Sequence, residues 1–519
     1  MGIPSYYRTL ISKLPHAIQR KAPADVGTLV VDMNCMIYHV LREPNMMAHV
    51  YPGSADLSLH RAWERKLHDE VCSYLTHIWK AAGAPTSVYV ALDGVVPYAK
   101  IKQQRYRRFK SAAMKSTTEV QWDTNAITPG TGFMAAMGDA LRKVGSTHGW
   151  TISDTSEPGE GEHKILQWLR SKKSEPERTT IVYGLDADLI LLCLLAGGPI
   201  FLLREAMAFG KMIRLEGSKE VELGFFQVET LRTSLQRGKE WNKEQFYDYI
   251  FGMSFCGNDF LPTGLSLRIR DEGHAILLSG LDALWKSKKH LVSFSPDGHA
   301  IPNAEGLLAF ARWIAGQEER LILTTIKRKM TARMGESDED NLPLKEQAEQ
   351  PLVYTHATHG TLLKPGWQTT YASLALGDSS VDHRKKRVAD FWQGWCWILD
   401  YYQGLPVDLE WVYPSGYPPS WADLCEHFVL PTAVSPAESG VSIPLKPTEQ
   451  LALVLPLSSW GLLLKTEFRN LPANVPQYWP QGFAVETFGK RFGWECEPMI
   501  PMLTPSRMRY EVTIMNRDQ

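Results

Sequence analysis

Cysteine is scarce and badly placed for cross-linking: its seven copies, at 35, 72, 193, 256, 396, 425 and 496, are odd in number, widely spaced and never in a C-x-x-C pair. Disulfides and a zinc site are therefore not expected. Long apolar runs are missing too, so no segment is expected to span a bilayer. Neither sign of charge is in excess: 56 Lys and Arg stand against 57 Asp and Glu, a formal net charge of −1. A protein that coats nucleic acid through overall basicity is excluded, and any polyanion must meet a local patch. The opening MGIPSYYRTL has no signal-peptide apolar stretch, and Tyr6 stands where a myristoylation signal needs a small hydroxyl residue. The expectation is a soluble intracellular protein.

What is present fits a large α/β protein. At 519 residues the chain exceeds the usual size of one hydrophobic core. Apolar β-rich runs at 28–32, 87–93, 149–154, 178–186 and 199–205 alternate with helical patterns at 58–82, 98–113, 133–145, 160–171 and 187–196. That alternation predicts a mostly parallel central sheet flanked by helices. After about residue 240 the text turns helical. The acid-rich stretch 334–351 has little apolar surface to bury and reads as a linker. The division expected is 1–330 for the α/β core, 331–352 for a polar linker, and 353–519 for a second, mainly helical region rich in Trp and Pro. There is no internal repeat.

The acids carry the chemistry. Asp32 and Asp93 end predicted strands, and Asp186 with Asp188 does the same in YGLDADLI. Open α/β sheets bind ligands beyond those strand ends, so four acids from three strands are aimed at one crevice. Glu160 and Glu162 open a helix just after another strand, where the helix terminus tolerates an anion. Asp259, in FCGNDFLP, follows a helix and is not placed by pattern. Each alone has a plainer reading: a strand-end Asp is an ordinary helix cap, and Asp188 would cap LILLCLL. Together they would repel and take up protons unless cations answer them. Hard divalent ions, Mg²⁺ or Mn²⁺, prefer oxygen ligands, and two held ~3.5–4 Å apart suit phosphodiester cleavage.

The stretch YAKIKQQRYRRFKSA contains six cations and no acid. On a helix, Lys100, Gln104, Arg107 and Arg108 share one face directly after Asp93, a shelf suited to a terminal phosphate. The plainer alternative is a solvated basic helix. A second basic run, 383–392, reads as the start of a surface helix rather than a nuclear address.

Taken together, MGIPSYY, VVDMN, ALDGVVPYAKIKQQRYRRFKSA, PGEGEHKI, YGLDADLILL, GNDFLP and, later, WCWILDYYQGLP, WVYPSGYPPSWADL, PTEQLALVLP and EPMIPML resemble the Xrn family of 5′→3′ exoribonucleases. The resemblance runs nearly end to end, and the segments after 390 separate it from flap endonucleases. It implies a nuclease core of the flap-endonuclease-like kind, with the second region packing on it and helping to form an RNA channel. It also implies hydrolysis of 5′-monophosphorylated single-stranded RNA to nucleoside 5′-monophosphates with two divalent cations. Asp32, Asp93, Glu160 and Glu162 would hold one metal, and Asp186, Asp188 and Asp259 the other. Lys100, Gln104, Arg107 and Arg108 would bind the 5′-phosphate, and Lys100 would also help neutralise the scissile phosphate.

The chain departs from the family pattern in two places. Where the family has a stacking His, this chain has Tyr38 with His39 beside it, and either ring could stack on a base. In the tryptophan-rich stretch Trp411 matches one aromatic position, as base platform or as core packing, while Leu409 occupies the other. A compact catalytic unit is expected, monomeric, with no membrane partner, cytoplasmic rather than nuclear. The competing readings are a structure-specific DNA flap endonuclease and a catalytically silent RNA-end-binding scaffold.

Overall fold

The computed structural model of the chain describes residues 2–3, 5–114, 120–172, 178–208, 211–214, 221–332, 344, 347–431 and 444–517. Its centre is a sheet of β1 (Ile18–Gln19), β2 (Val26–Asp32), β3 (Ser87–Ala91), β4 (Thr151–Ser153), β5 (Thr179–Tyr183), β6 (Ile200–Glu205) and β7 (Leu223–Gln227). The spatial order is β1-β7-β6-β5-β2-β3-β4. The five strands from β6 to β4 run parallel, as the βαβ alternation predicts. β7 pairs antiparallel with β6, and β1 with β7. Those two antiparallel strands escaped sequence reading: β1 is two residues long, and β7 follows no helix-spaced crossover.

Leu29, Val30 and Val31 of β2 have no exposed surface, because helices cover both faces of the strand. On one face lie the Leu57–Ala81 and Gly132–His148 helices, with Leu67, Val71, Leu75, Met137 and Leu141 buried at helical spacing. On the other lie Ile165 and Leu166 of the Gly161–Ser171 helix and the apolar Asp188–Ala196 helix. The chain builds outward from β2 through β3 to β4, then crosses back to β5 on the other side. That reversal opens a crevice at the carboxyl ends of β2 and β5, the place where such sheets bind ligands.

The second region shares a core with the first. Its Val381–Gln403 helix, which absorbs the basic run 383–392, buries Trp392 and Trp395 against Phe255. Phe255 and Trp395 stack with centroids 5.9 Å apart. Truncating either tryptophan to alanine would cost about 3–5 kcal/mol.

Of the expected linker, residues 333–343 and 345–346 lie outside the described residues. Its last residues are part of the folded body: Glu349 is buried and pairs through Oε1 with Lys329 Nζ at 2.8 Å, and Leu352 is fully buried. No helix among the described residues is long and apolar enough to cross a membrane.

Candidate active site

Asp32 is the last residue of β2 and stands at the mouth of the Met33–Leu41 helix. Asp93 lies two residues beyond β3, and Asn34 fixes it from both sides. The Asn34 amide donates to Asp93 Oδ2 at 2.9 Å, and the Asp93 N–H donates to Asn34 Oδ1 at 3.1 Å. The Gly161 N–H, at the start of its helix, donates to Asp93 Oδ1 at 2.7 Å. Gly161 is needed for that approach, since a Cβ there would sit 2.7 Å from Asp32 Oδ1. The PGEGEHKI motif thus docks a helix terminus onto two acids while presenting Glu160 and Glu162.

Asp32, Asp93, Glu160, Glu162 and Asp186 line one cleft of about 160 Å³, together with Asn34, Tyr38, Lys100, Gln104, Arg107 and Arg108. Two predicted acids border the cleft from outside. Asp188 is buried and accepts the Ile3 N–H at 3.0 Å. Asp259 accepts from Lys100 Nζ at 2.5 Å and from Gln103 Nε2 at 2.7 Å. Lys100 also reaches Glu160 Oε2 at 2.6 Å, so one ammonium bridges acids from distant parts of the chain.

The electrostatics follow from burial and crowding. Burial first, and then repulsion from Asp93 and Asp186, pushes the Asp32 carboxyl well above the usual range. Burial also lifts Glu162 well above it, against the pull of Lys100. Asp188 rises to about 7, chiefly through burial and then through Asp259. Asp259 goes the other way: Lys100 holds it low despite burial. Lys100 is desolvated, yet Asp259 and Glu160 keep it firmly protonated. One lysine does not answer all these acids. Glu162 Oε2 is buried with no hydrogen-bond partner, and the donor set is all oxygen, so the residues fit hard divalent cations. A separate group, Asp423, Glu426 and His427, brings ligand atoms within 4.8 Å of one another. There Arg384 already pairs with Asp423.

The cationic shelf faces the same cleft. It lies on the Tyr98–Met114 helix, close to the span that the spacing predicts. Gln104 and Arg108 are buried, Arg107 is exposed, and Gln104 Oε1 and Arg108 Nη1 lack partners. Burial lowers the Arg108 pKa to about 10, so it remains charged at neutral pH. A buried, unsatisfied guanidinium N–H is costly unless an anion meets it. Arg105, on another face of this helix, is structural: its guanidinium donates to the Leu453 carbonyl at 2.7 Å and covers Phe109.

Two of the candidate stacking residues are buried. His39 is 3% exposed, packs on Tyr74 with centroids 4.5 Å apart, and faces Glu43 and Glu205 rather than the cleft. The helical turn that points Tyr38 at the cleft turns its neighbour inward. Trp411 is 8% exposed and stacks on Trp397 at 5.1 Å. Gly394 makes room for it, since a Cβ there would lie 2.7 Å from the Trp411 ring. It is core, and the Leu409 carbonyl is occupied by the Tyr98 N–H.

Sequence reading also passed over Asn34 and Tyr401. Asn34 is two residues from Asp32 on the first turn of a helix, a spacing that was legible. Tyr401 sits in an apolar Trp-rich run that reads only as core.

Comparison with known proteins bears on these residues. A family model described as the XRN 5′-3′ exonuclease N-terminus matches residues 1–206, and one described as the Xrn1 helical domain matches residues 324–518. The human protein named 5′-3′ exoribonuclease 1 is 27% identical over 98% of this chain and 34% of its own length. A Gallus gallus 5′-3′ exoribonuclease 2 is 25% identical over 98% of this chain and 69% of its own. A Saccharomyces cerevisiae 5′-3′ exoribonuclease 1 is 31% identical over 54% of this chain and 20% of its own. The chain thus spans about a third of the human relative.

Proposed function

We propose, proceeding from the fact that this chain belongs to the Xrn family of 5′-3′ exonucleases, that it hydrolyses 5′-monophosphorylated single-stranded RNA from its 5′ end to nucleoside 5′-monophosphates. The observation that carries this reading is that the acids and the cations of one helix face line the same cleft, where Lys100 pairs with Glu160. Arg108 Nη1 and the Arg107 guanidinium offer forked donors to a terminal phosphate. The cleft is small, about 160 Å³, so a cap or a triphosphate is opposed by size and by proximity to the acids. Tyr38, on the cleft wall, supplies a ring for the first base.

Two divalent cations, Mg²⁺ or Mn²⁺, would be held by Asp32, Asp93, Glu160 and Glu162 and by Asp186, Asp188 and Asp259. Bound there, they would supply stabilisation of negative charge on phosphodiester oxygens. Asn34 and the Gly161 N–H orient Asp93, Tyr401 orients Glu160, and Lys100 offsets charge on the scissile phosphate. We place the activity in the cytoplasm, carried by a monomer. No structural observation favours a DNA flap endonuclease or a silent scaffold.

The test is decay of matched RNAs bearing a 5′-monophosphate, 5′-hydroxyl or 5′-triphosphate, with Mg²⁺ or with EDTA. Mononucleotide release from the monophosphate RNA alone, abolished by EDTA, is the expected result. Equal decay of all three ends, or internal cuts, would refute the reading.

A further inference from the structure

A second cavity, of about 400 Å³, opens on another flank of the Tyr98–Met114 helix, and Arg107 borders both it and the acidic cleft. Its wall combines an aromatic ring with cations that have donors to spare. Trp494 lines it and remains 39% exposed. The indole is nonetheless braced. Arg270 lies 4.7 Å from its centroid and 5.3 Å from that of Phe492, whose ring is parallel to the indole within 10°. The residues on either side are tied down as well. Gly493 O accepts from Lys110 Nζ at 2.7 Å. Glu495 accepts from Arg270, Arg268 and the Arg491 N–H at 2.8, 3.2 and 2.9 Å. An indole held this way loses little freedom when a flat ring stacks on it.

Lys102 and Lys110 also line this cavity. Lys102 donates to Tyr413 O at 2.9 Å, and Lys110 to Gly493 O. Among the described residues no carboxylate lies within ion-pair distance of either, and Glu497, on the same wall, attracts Lys102 from farther off. An ammonium has three donors, so each retains capacity for an anion.

We infer that this cavity is a second nucleotide subsite, where a base stacks on Trp494 and its phosphate meets Lys102 and Lys110. The inference rests on the RNA-degrading reading above and extends it. It supplies an aromatic platform that the buried Trp411 does not offer. One chemistry, a base joined to a phosphate, has two sources here: a later nucleotide of the bound strand, or the mononucleotide released by hydrolysis.

The experiment uses the full chain in EDTA, titrated separately with a 5′-phosphorylated oligouridylate and with UMP. Trp494→Ala is expected to weaken binding by roughly five- to a hundredfold, the worth of one base–aromatic stack, while Trp494→Phe stays within about threefold of the parent. Loss confined to the oligonucleotide assigns the site to the strand. Loss for UMP, together with relief of product inhibition by UMP during RNA decay, assigns it to the product. Unchanged binding of both ligands by a Trp494→Ala protein with a parental melting curve overturns the inference. Absence of any RNA decay by the unmodified protein in Mg²⁺ would instead overturn the exonuclease reading, and the binding measurements would still stand.

Discussion

The Tyr401 hydroxyl donates to Glu160 Oε1 at 3.2 Å across a sequence separation of 241 residues. Its ring stacks on His163, with centroids 4.4 Å apart, and on Trp397 at 4.9 Å, which fixes the direction of the O–H. The second region therefore reaches into the acid cluster with one positioned hydrogen bond. Replacing Tyr401 by Phe keeps the stack and removes that bond. The expected outcome is a severalfold higher Mg²⁺ requirement for half-maximal RNA decay with an unchanged melting curve. An unchanged Mg²⁺ titration would reduce Tyr401 to a packing residue.

Asp186 lines the cleft and adds to the field that raises Asp32. Asp186→Asn is expected to abolish RNA decay, a loss of at least about a thousandfold, while RNA binding in EDTA persists. Substantial remaining turnover would remove Asp186 from the catalytic set.

Arg107 and Arg108 are assigned to the leading phosphate rather than to the chemistry. The double substitution Arg107→Ala, Arg108→Ala should erase the preference for 5′-phosphate over 5′-hydroxyl RNA, read as the ratio of kcat/KM for the two ends. A ratio unchanged from the parent would mean that the shelf grips something else.

Crowded acids make the cleft a place where function costs stability. Burying Asp32 and Glu162 beside other carboxylates disfavours the metal-free fold. Asp32→Asn or Glu162→Gln should raise the melting temperature in EDTA and end RNA decay. Mg²⁺ at a hundred times its dissociation constant should stabilise the parent by about 2.7 kcal/mol per bound ion and the variants by less. Thermal scans with and without EDTA decide it.

Glu318 gives a pH signature remote from the cleft. It accepts the Trp421 and Ala422 N–H groups at 2.9 and 3.1 Å, yet burial raises its pKa from 4.5 to about 8. Because the folded value lies above the unfolded one, its contribution to stability is complete below about pH 4.5. That contribution is lost as pH rises through about 8. Glu318→Gln should flatten the fall in melting temperature across that interval; a parallel curve would assign the slope to other groups.

Much of this architecture was legible because strand periodicity and strand-end acids are local signals. Asp32 and Asp93 could be placed from β-branched runs that stop at an acid. The basic face of residues 100–108 followed from helical spacing alone. Asp259 could not be placed, since its position depends on Lys100 and Gln103 meeting it across the fold. The choice between Tyr38 and His39 required knowing which side of the helix faces Tyr74 and Glu205. Trp411 and Tyr401 lie in similar aromatic text, and only tertiary packing turns one into core and the other into a donor for Glu160.

The buried contact between Lys329 and Glu349 joins two opposite charges that lie twenty positions apart in the chain. Losing either partner would leave a buried charge unanswered, so the two positions are free to change only together.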